Sequence, residues 1–165
     1  ADGDDAATQA ALAELAQIFR SPPLGVAAVA LGEIGLDALT PERRAALPRQ
    51  EQALRAQLAL ARAQGVPVLL HILRTHGPAL QLLRREGLPQ AGGVVHSFSG
   101  SAELVPDYLK LGLHLSFAGP VTYHNASRVL AAARCVPRER LLQLTGPLLR
   151  RAEHAPPRSV GRTPT

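Results

Sequence analysis

The segment VPVLLHI at residues 66–72 is a short, mostly apolar run with a histidine near its end. Such a run predicts a strand that is buried in a parallel sheet, and Pro67 stands at its start, where a missing N–H is tolerated. Four similar runs predict further strands. They are VAAVALGEIGL at 26–36, GVVHSF at 93–98, LHLSFA at 113–118 and RLLQLT at 140–145.

Longer amphipathic segments separate these runs and predict helices. The predicted helices cover 49–64, 76–86, 101–111 and 125–134. Strands that alternate with helices of ten to fifteen residues indicate βαβ units and therefore an α/β fold with a parallel sheet.

Three of the predicted strands carry a polar side chain near their carboxyl ends, namely Glu33, His71 and His96. In α/β sheets and in (β/α)8 barrels this edge carries the active site. One carboxylate and two imidazoles are a common ligand set for zinc, manganese or another first-row divalent metal. Taken singly, each histidine is more often a core residue than a ligand, and the glutamate could cap a helix. Their shared position favours a metal site.

Composition allows two interpretations of the charge. The net charge is +5 and arises almost wholly from arginine, since Lys110 is the one lysine. A basic chain could bind nucleic acid, but a GC-rich genome also enriches arginine, and the arginines lack interleaved aromatic residues. We therefore prefer the compositional interpretation.

A single cysteine, Cys135, suits a reducing compartment, and without an apolar run of membrane-spanning length we expect a cytoplasmic protein with no membrane partner.

Several blocks together resemble the TatD-type metal-dependent hydrolases, a (β/α)-barrel family known for deoxyribonuclease activity. In chain order these blocks are GEIGLD (32–37), EQALRAQLALARAQ (51–64), PVLLH (67–71), VVHSFSGS (94–101), LGLHLSFAG (111–119) and VTYHNAS (121–127). Agreement over several ordered blocks is far more specific than any single motif. The resemblance implies a TIM-type barrel that hydrolyses phosphodiesters, DNA among them, with divalent metal (Zn, Mn or Mg).

The resemblance also implies roles for particular residues. Glu33 would be the catalytic ligand that bridges two metal ions, and His71 and His96 would complete one metal site. Many relatives carry an arginine at the position of Leu73; Arg74 could replace it in contacting the substrate, although strand alternation would direct its side chain to the other face. His124 falls where the family has an active-site loop and could also contact the substrate. The second metal site of the family needs an H-x-H pair, which this sequence lacks, and an aspartate at the position of Gly146. We therefore expect one intact metal site and one incomplete site.

The resemblance further implies where the barrel is interrupted. We expect residues 1–145 to form a partial (β/α) barrel of about five parallel strands with outer helices, lacking the first two strands and the last. Residues 146–165 are rich in arginine and proline, and we expect a disordered tail. A shift of reading frame near residue 143 would account for this tail and for Gly146.

Three hypotheses about function stay open. The chain could be a TatD-type hydrolase with impaired activity, a non-catalytic barrel fragment that binds at most one metal ion, or another metal-dependent hydrolase of the amidohydrolase-like group. Five strands also leave two sheet edges without partners, so we expect self-association through those edges.

Overall fold

Five parallel strands form one sheet. The computed structural model describes residues 2–22, 25, 27–118 and 126–143. Its strands are β1 (Leu31–Asp37), β2 (Val68–Leu73), β3 (Gly93–His96), β4 (His114–Phe117) and β5 (Leu141–Gln143). Each strand pairs in parallel with the next one along the chain. The predicted α/β fold with about five parallel strands is confirmed, and this strand order is that of a (β/α) barrel.

One helix precedes the first strand, and the others connect successive strands as predicted. They are α1 (Asp2–Arg20), α2 (Pro41–Ala45), α3 (Leu47–Gln64), α4 (His76–Glu86), α5 (Val105–Lys110) and α6 (Ser127–Arg134). The helix predicted at 76–86 has the expected bounds. The one predicted at 101–111 is divided, because a 3₁₀ turn at Ala102–Leu104 precedes α5.

Helix α2 was not predicted, although its first turn carries a clear signal. The Thr40 hydroxyl accepts a hydrogen bond from the Arg43 N–H at 3.3 Å, and Pro41 occupies the first helical position. Both features stabilise a helix start. The helix is too short to show an apolar period, which is why pattern alone missed it.

The first strand begins later than predicted. The Leu31 N–H donates to the Pro67 carbonyl, and Leu31 pairs with Val68. Residues 27–30 have no strand partner, and Val29 is 79% exposed. The strand predicted over 27–30 is therefore wrong, since an apolar segment extends into a sheet only where a neighbouring strand runs beside it.

The two faces of the sheet differ in burial. On β2, Val68, Leu70 and Ile72 are buried in the core, which includes side chains of α3 and α4. The alternate residues Leu69, His71 and Leu73 point to the other face and stay partly exposed. The candidate ligand His71 therefore lies on the open face of the sheet.

No helix in the described part of the chain is both long and apolar enough to cross a bilayer.

Candidate metal centre

His71 lies in the second half of β2 and His96 ends β3, whereas Glu33 is the third of the seven residues of β1 and not at its carboxyl end as predicted. Gly35 on β1 is in register with His71 on β2, and His71 is in register with His96 on β3. Residues paired in this way across parallel strands point to the same face. Glu33 Oε1 lies 3.4 Å from His96 Nε2, so the structure brings these two predicted ligands together.

His71 has a different partner. Its Nε2 lies 3.2 Å from Asp37 Oδ2, at the end of β1. The His71 side chain is 38% exposed, whereas Asp37 is only 15% exposed. The His71 imidazole is therefore accessible at the open face of the sheet, whereas the Asp37 carboxylate that contacts it is largely buried.

Asp37 is held by contacts from three directions. The Leu39 N–H donates to Asp37 Oδ1 at 2.7 Å, and Arg43 forms an ion pair with Oδ2. Gln50 binds the Asp37 backbone at both groups, accepting from its N–H at 2.7 Å and donating to its carbonyl at 3.0 Å. Burial alone would raise the pKa of the Asp37 carboxyl. The hydrogen bonds from Leu39 and His71 and the charge of Arg43 outweigh that effect, so this pKa lies below its usual value.

A glycine allows β1 and β2 to approach closely at this edge. A Cβ atom added to Gly35 would lie 1.8 Å from the His71 carbonyl oxygen, which is far inside contact distance. The φ angle of Gly35 is +153°, a value that other residues rarely adopt. Gly35 thus keeps Asp37 within reach of the His71 ring.

His96 is fixed from its own strand end. Ser97 follows it with φ near +48°, and its Oγ lies 3.0 Å from His96 Nε2. The Ser97 N–H donates to the buried Ser116 Oγ at 3.1 Å, which ties this turn to β4. His96 Nδ1 is buried and has no hydrogen-bond partner among the described residues.

A cleft of about 500 Å³ opens beside these groups. Its lining includes both acids of β1 and one of the two imidazoles. The residues are Glu33, Ile34, Gly35, Asp37, Arg43, Gln50 and His71. A substrate in this cleft would therefore meet two carboxylates, one imidazole and one guanidinium group.

One pair of the predicted ligands has the spacing that two ligands of a divalent metal ion require. Two ligands that are each about 2.0–2.1 Å from a tetrahedral zinc ion lie about 3.3 Å apart, and the Glu33 and His96 donor atoms are separated by 3.4 Å. His71 lies beside His96 but is turned toward Asp37. Across residues 2–22, 25, 27–118 and 126–143, no three side chains of His, Cys, Asp or Glu converge to hold one ion. The predicted set is thus arranged as two pairs.

The predicted substrate contacts fall in different places. Arg74 follows β2 directly, is exposed, and has a left-handed φ of +58°. Because Arg74 lies beyond the end of β2, the alternation of side chains along that strand does not determine which face of the sheet its side chain occupies. His124 and Gly146 lie outside the described residues, as does the predicted tail at 146–165.

Pattern analysis missed Asp37, Arg43 and Gln50 as members of the site. Asp37 closes the GEIGLD motif, in which Glu33 alone was predicted as a ligand. Arg43 and Gln50 are six and thirteen residues further along, and their contacts with Asp37 depend on how α2 and α3 pack. For Asp37 the signal was its place in the motif; for the other two, tertiary structure was needed.

The parallel sheet, with acid and imidazole side chains paired at its carboxyl edge, defines a barrel-type α/β protein with a candidate metal centre. The chain belongs to the TatD related DNase family, whose model matches residues 4–162. That match extends into the segment predicted to be a tail.

Individual relatives agree with this assignment. The chain is 35% identical to the uncharacterized metal-dependent hydrolase YabD of Bacillus subtilis over 69% of this chain and 44% of that protein. It is 38% identical to the 3'-5' ssDNA/RNA exonuclease TatD of Edwardsiella piscicida, over 79% of this chain and 48% of the relative. The crystal structure of YjjV, a TatD homolog from Escherichia coli, superposes with a TM-score of 0.72 at 36% identity, covering 81% of this chain and 50% of YjjV.

The predicted family and barrel fold are confirmed by these similarities. The chain spans about half the length of the curated relatives it matches.

Proposed function

We propose that this chain carries one metal site of a hydrolase that cleaves phosphodiester bonds in nucleic acid. Glu33, His71 and His96 would be the ligands. The observation that carries the proposal is the 3.4 Å contact between the Glu33 carboxylate and the His96 imidazole, with His71 in register beside it. Family membership supports the metal, and the name of the Edwardsiella relative supports single-stranded DNA or RNA as the substrate class.

Each residue would have a distinct task. A bound divalent ion would supply Lewis-acid activation of water and of the phosphodiester. Glu33 would contribute the negative charge of the site, and the two imidazoles would bind as neutral ligands. Arg74, exposed at the same edge, would contact a substrate phosphate. We also propose that His124 contacts the substrate, because it follows β4 in the sequence.

Metal content tests the ligand set. The purified chain is dialysed against Zn²⁺ or Mn²⁺, and bound metal is measured by elemental analysis. We expect at most one ion per chain, with clear loss in Glu33→Gln and His96→Ala. His114→Ala is the matched control, because His114 pairs with Val94 and thus lies on the same sheet face, one side-chain repeat away from His96. Equal metal content in all four proteins would contradict the proposal.

Activity is a separate question, because the second metal site of the family lacks its H-x-H pair here. A two-metal mechanism loses stabilisation of both attacking and leaving oxygens when one site is dismantled. We therefore expect little turnover of a single-stranded oligonucleotide. Turnover comparable to that of the Edwardsiella exonuclease, abolished by Glu33→Gln, would show that the chain has a complete catalytic site.

A non-catalytic barrel fragment is the second candidate. It is favoured by the arrangement of the predicted ligands as two pairs and by the absence of a third converging ligand within the described residues. Metal binding without turnover would support this candidate. Another hydrolase of the amidohydrolase-like group is the third, and turnover of a non-nucleotide ester or amide would support it.

We also propose self-association through the edge of the sheet. Among the described strands β5 lies at one edge of the sheet, and it exposes Leu141 and Leu142 at 40% and 41%. Exposed apolar edge strands pair readily with other chains. Light scattering across a concentration series is the test, and a mass that stays monomeric throughout would refute the proposal. A cytoplasmic location is proposed too, since the exposed Cys135 is a free thiol.

A further inference from the structure

The contact between Asp37 and His71 joins a fully supported carboxylate to a candidate metal ligand. The Asp37 backbone is bound by Gln50, and its Oδ1 accepts from the Leu39 N–H. Its Oδ2 is shared by Arg43 and by His71 Nε2, the latter at 3.2 Å. The carboxylate therefore has one orientation available, and that orientation directs Oδ2 at the imidazole.

The chemistry of this contact determines which ring nitrogen of His71 can bind a metal ion. An ionised carboxylate only accepts hydrogen bonds, so Nε2 must carry the proton that it donates to Oδ2. In a neutral imidazole, which is the form that binds metal ions, a proton on Nε2 leaves the lone pair on Nδ1. Histidine ligands commonly donate their other N–H to a carboxylate, which sets both the tautomer and the ring orientation.

We propose that Asp37 is a positioning residue that holds His71 in the Nε2-protonated tautomer and presents Nδ1 as the ligand atom. This proposal rests on the proposed function for the role of His71 as a ligand. Arg43 and Gln50 act through Asp37, Arg43 by fixing its carboxylate and Gln50 by fixing its backbone. Asp37 itself does not bind the metal ion.

A purely structural role for Asp37 makes a different prediction. Gln50 contacts only the backbone of Asp37, so Asp37→Asn preserves these two bonds and the shape of the side chain. The substitution removes the charge and replaces one acceptor oxygen by an amide group. An amide nitrogen facing His71 would donate rather than accept, and would therefore favour the opposite tautomer.

The first experiment needs neither a variant nor a metal ion. Nitrogen-15 NMR of the imidazole groups distinguishes the two neutral tautomers by their chemical shifts, and His71→Gln assigns the signal. We expect His71 of the unsubstituted protein to be protonated at Nε2. A signal from the Nδ1-protonated form would overturn the proposal.

The second experiment measures metal affinity. Isothermal titration with Zn²⁺ should show a loss of 10- to 100-fold for Asp37→Asn, the range found when a carboxylate partner of a ligating histidine is removed. Asp37→Glu should recover part of the loss. Glu51→Gln is the control, because it removes the same charge from α3, where its partner is Arg55 at 3.6 Å. Thermal unfolding of each variant confirms that it folds.

The outcomes separate this proposal from the proposed function. If Asp37→Asn keeps both tautomer and affinity while His71→Gln and His96→Ala lose metal, the positioning role is overturned and the ligand set stands. If none of these substitutions changes the affinity, the ligand set fails. In that case His71 Nδ1 is not a ligand atom, and this proposal fails together with the ligand set.

Discussion

Lowering the pH from about 7 to about 5 should destabilise the protein through His76, the first residue of α4. Its Nδ1 lies 2.9 Å from the Tyr108 hydroxyl, and its ring packs against Phe98 with centroids 5.3 Å apart. Its Nε2 is buried and has no hydrogen-bond partner within the described part of the chain. Burial, and then the charge of Arg128, lower the pKa of His76 from 6.5 to about 4.

The sign of the effect follows from which state binds the proton first. With a pKa near 6.5 in the unfolded chain, His76 is protonated there while the folded protein still keeps it neutral. The contribution of His76 to the free energy of unfolding is therefore fully present above about pH 6.5, and it is lost as the pH falls toward about 4. Without screening, the pKa shift would lower the free energy of unfolding by about 2 kcal/mol at pH 5. Because the ring is partly exposed, solvent screening reduces this loss to about 1 kcal/mol.

Urea unfolding at both pH values measures this effect. The loss of stability between about pH 7 and pH 5 should be about 1 kcal/mol larger for the unsubstituted protein than for His76→Gln. All other titrating groups are present in both proteins, so their contributions cancel in the comparison. A difference between the two proteins that is the same at both pH values would refute the reasoning.

Three further predictions concern the edge of the sheet. Gly35→Ala should lower the free energy of unfolding by at least about 2 kcal/mol and should weaken metal binding, because the added Cβ would collide with the His71 carbonyl. Urea unfolding measures the first effect and metal titration the second. Thr75→Val should cost about 1–2 kcal/mol in urea unfolding, since it removes the 2.8 Å hydrogen bond from the buried Thr75 hydroxyl to the Leu36 carbonyl. Arg74→Ala should weaken the binding of single-stranded DNA, measured by fluorescence titration, and should reduce the number of counterions released on binding by about one. An unchanged dependence of the binding constant on salt concentration would exclude a phosphate contact.

Much of the architecture was predictable from local patterns. Short apolar runs separated by amphipathic segments are properties of neighbouring residues, and they predicted the five strands and most of the helices. The carboxyl ends of parallel strands share one edge, so His71 and His96 could be assigned to that edge without any coordinates, whereas Glu33 lies earlier in its strand than predicted. The same pattern could not show where the first strand begins, because pairing of Leu31 with Val68 depends on the position of β2.

The partners of these three residues were decided only by tertiary structure. The register between β1 and β2 shifts between Leu31 and Ile34, and Glu33 within that shift contacts His96 rather than the neighbouring His71. His71 in turn contacts Asp37, whose backbone is held by Gln50 from α3. Sequence periodicity determines which face of an element a side chain occupies, whereas a contact of about 3 Å depends on strand register and helix packing. That is the physical reason why the candidate ligands were recognisable from the sequence and their pairing was not.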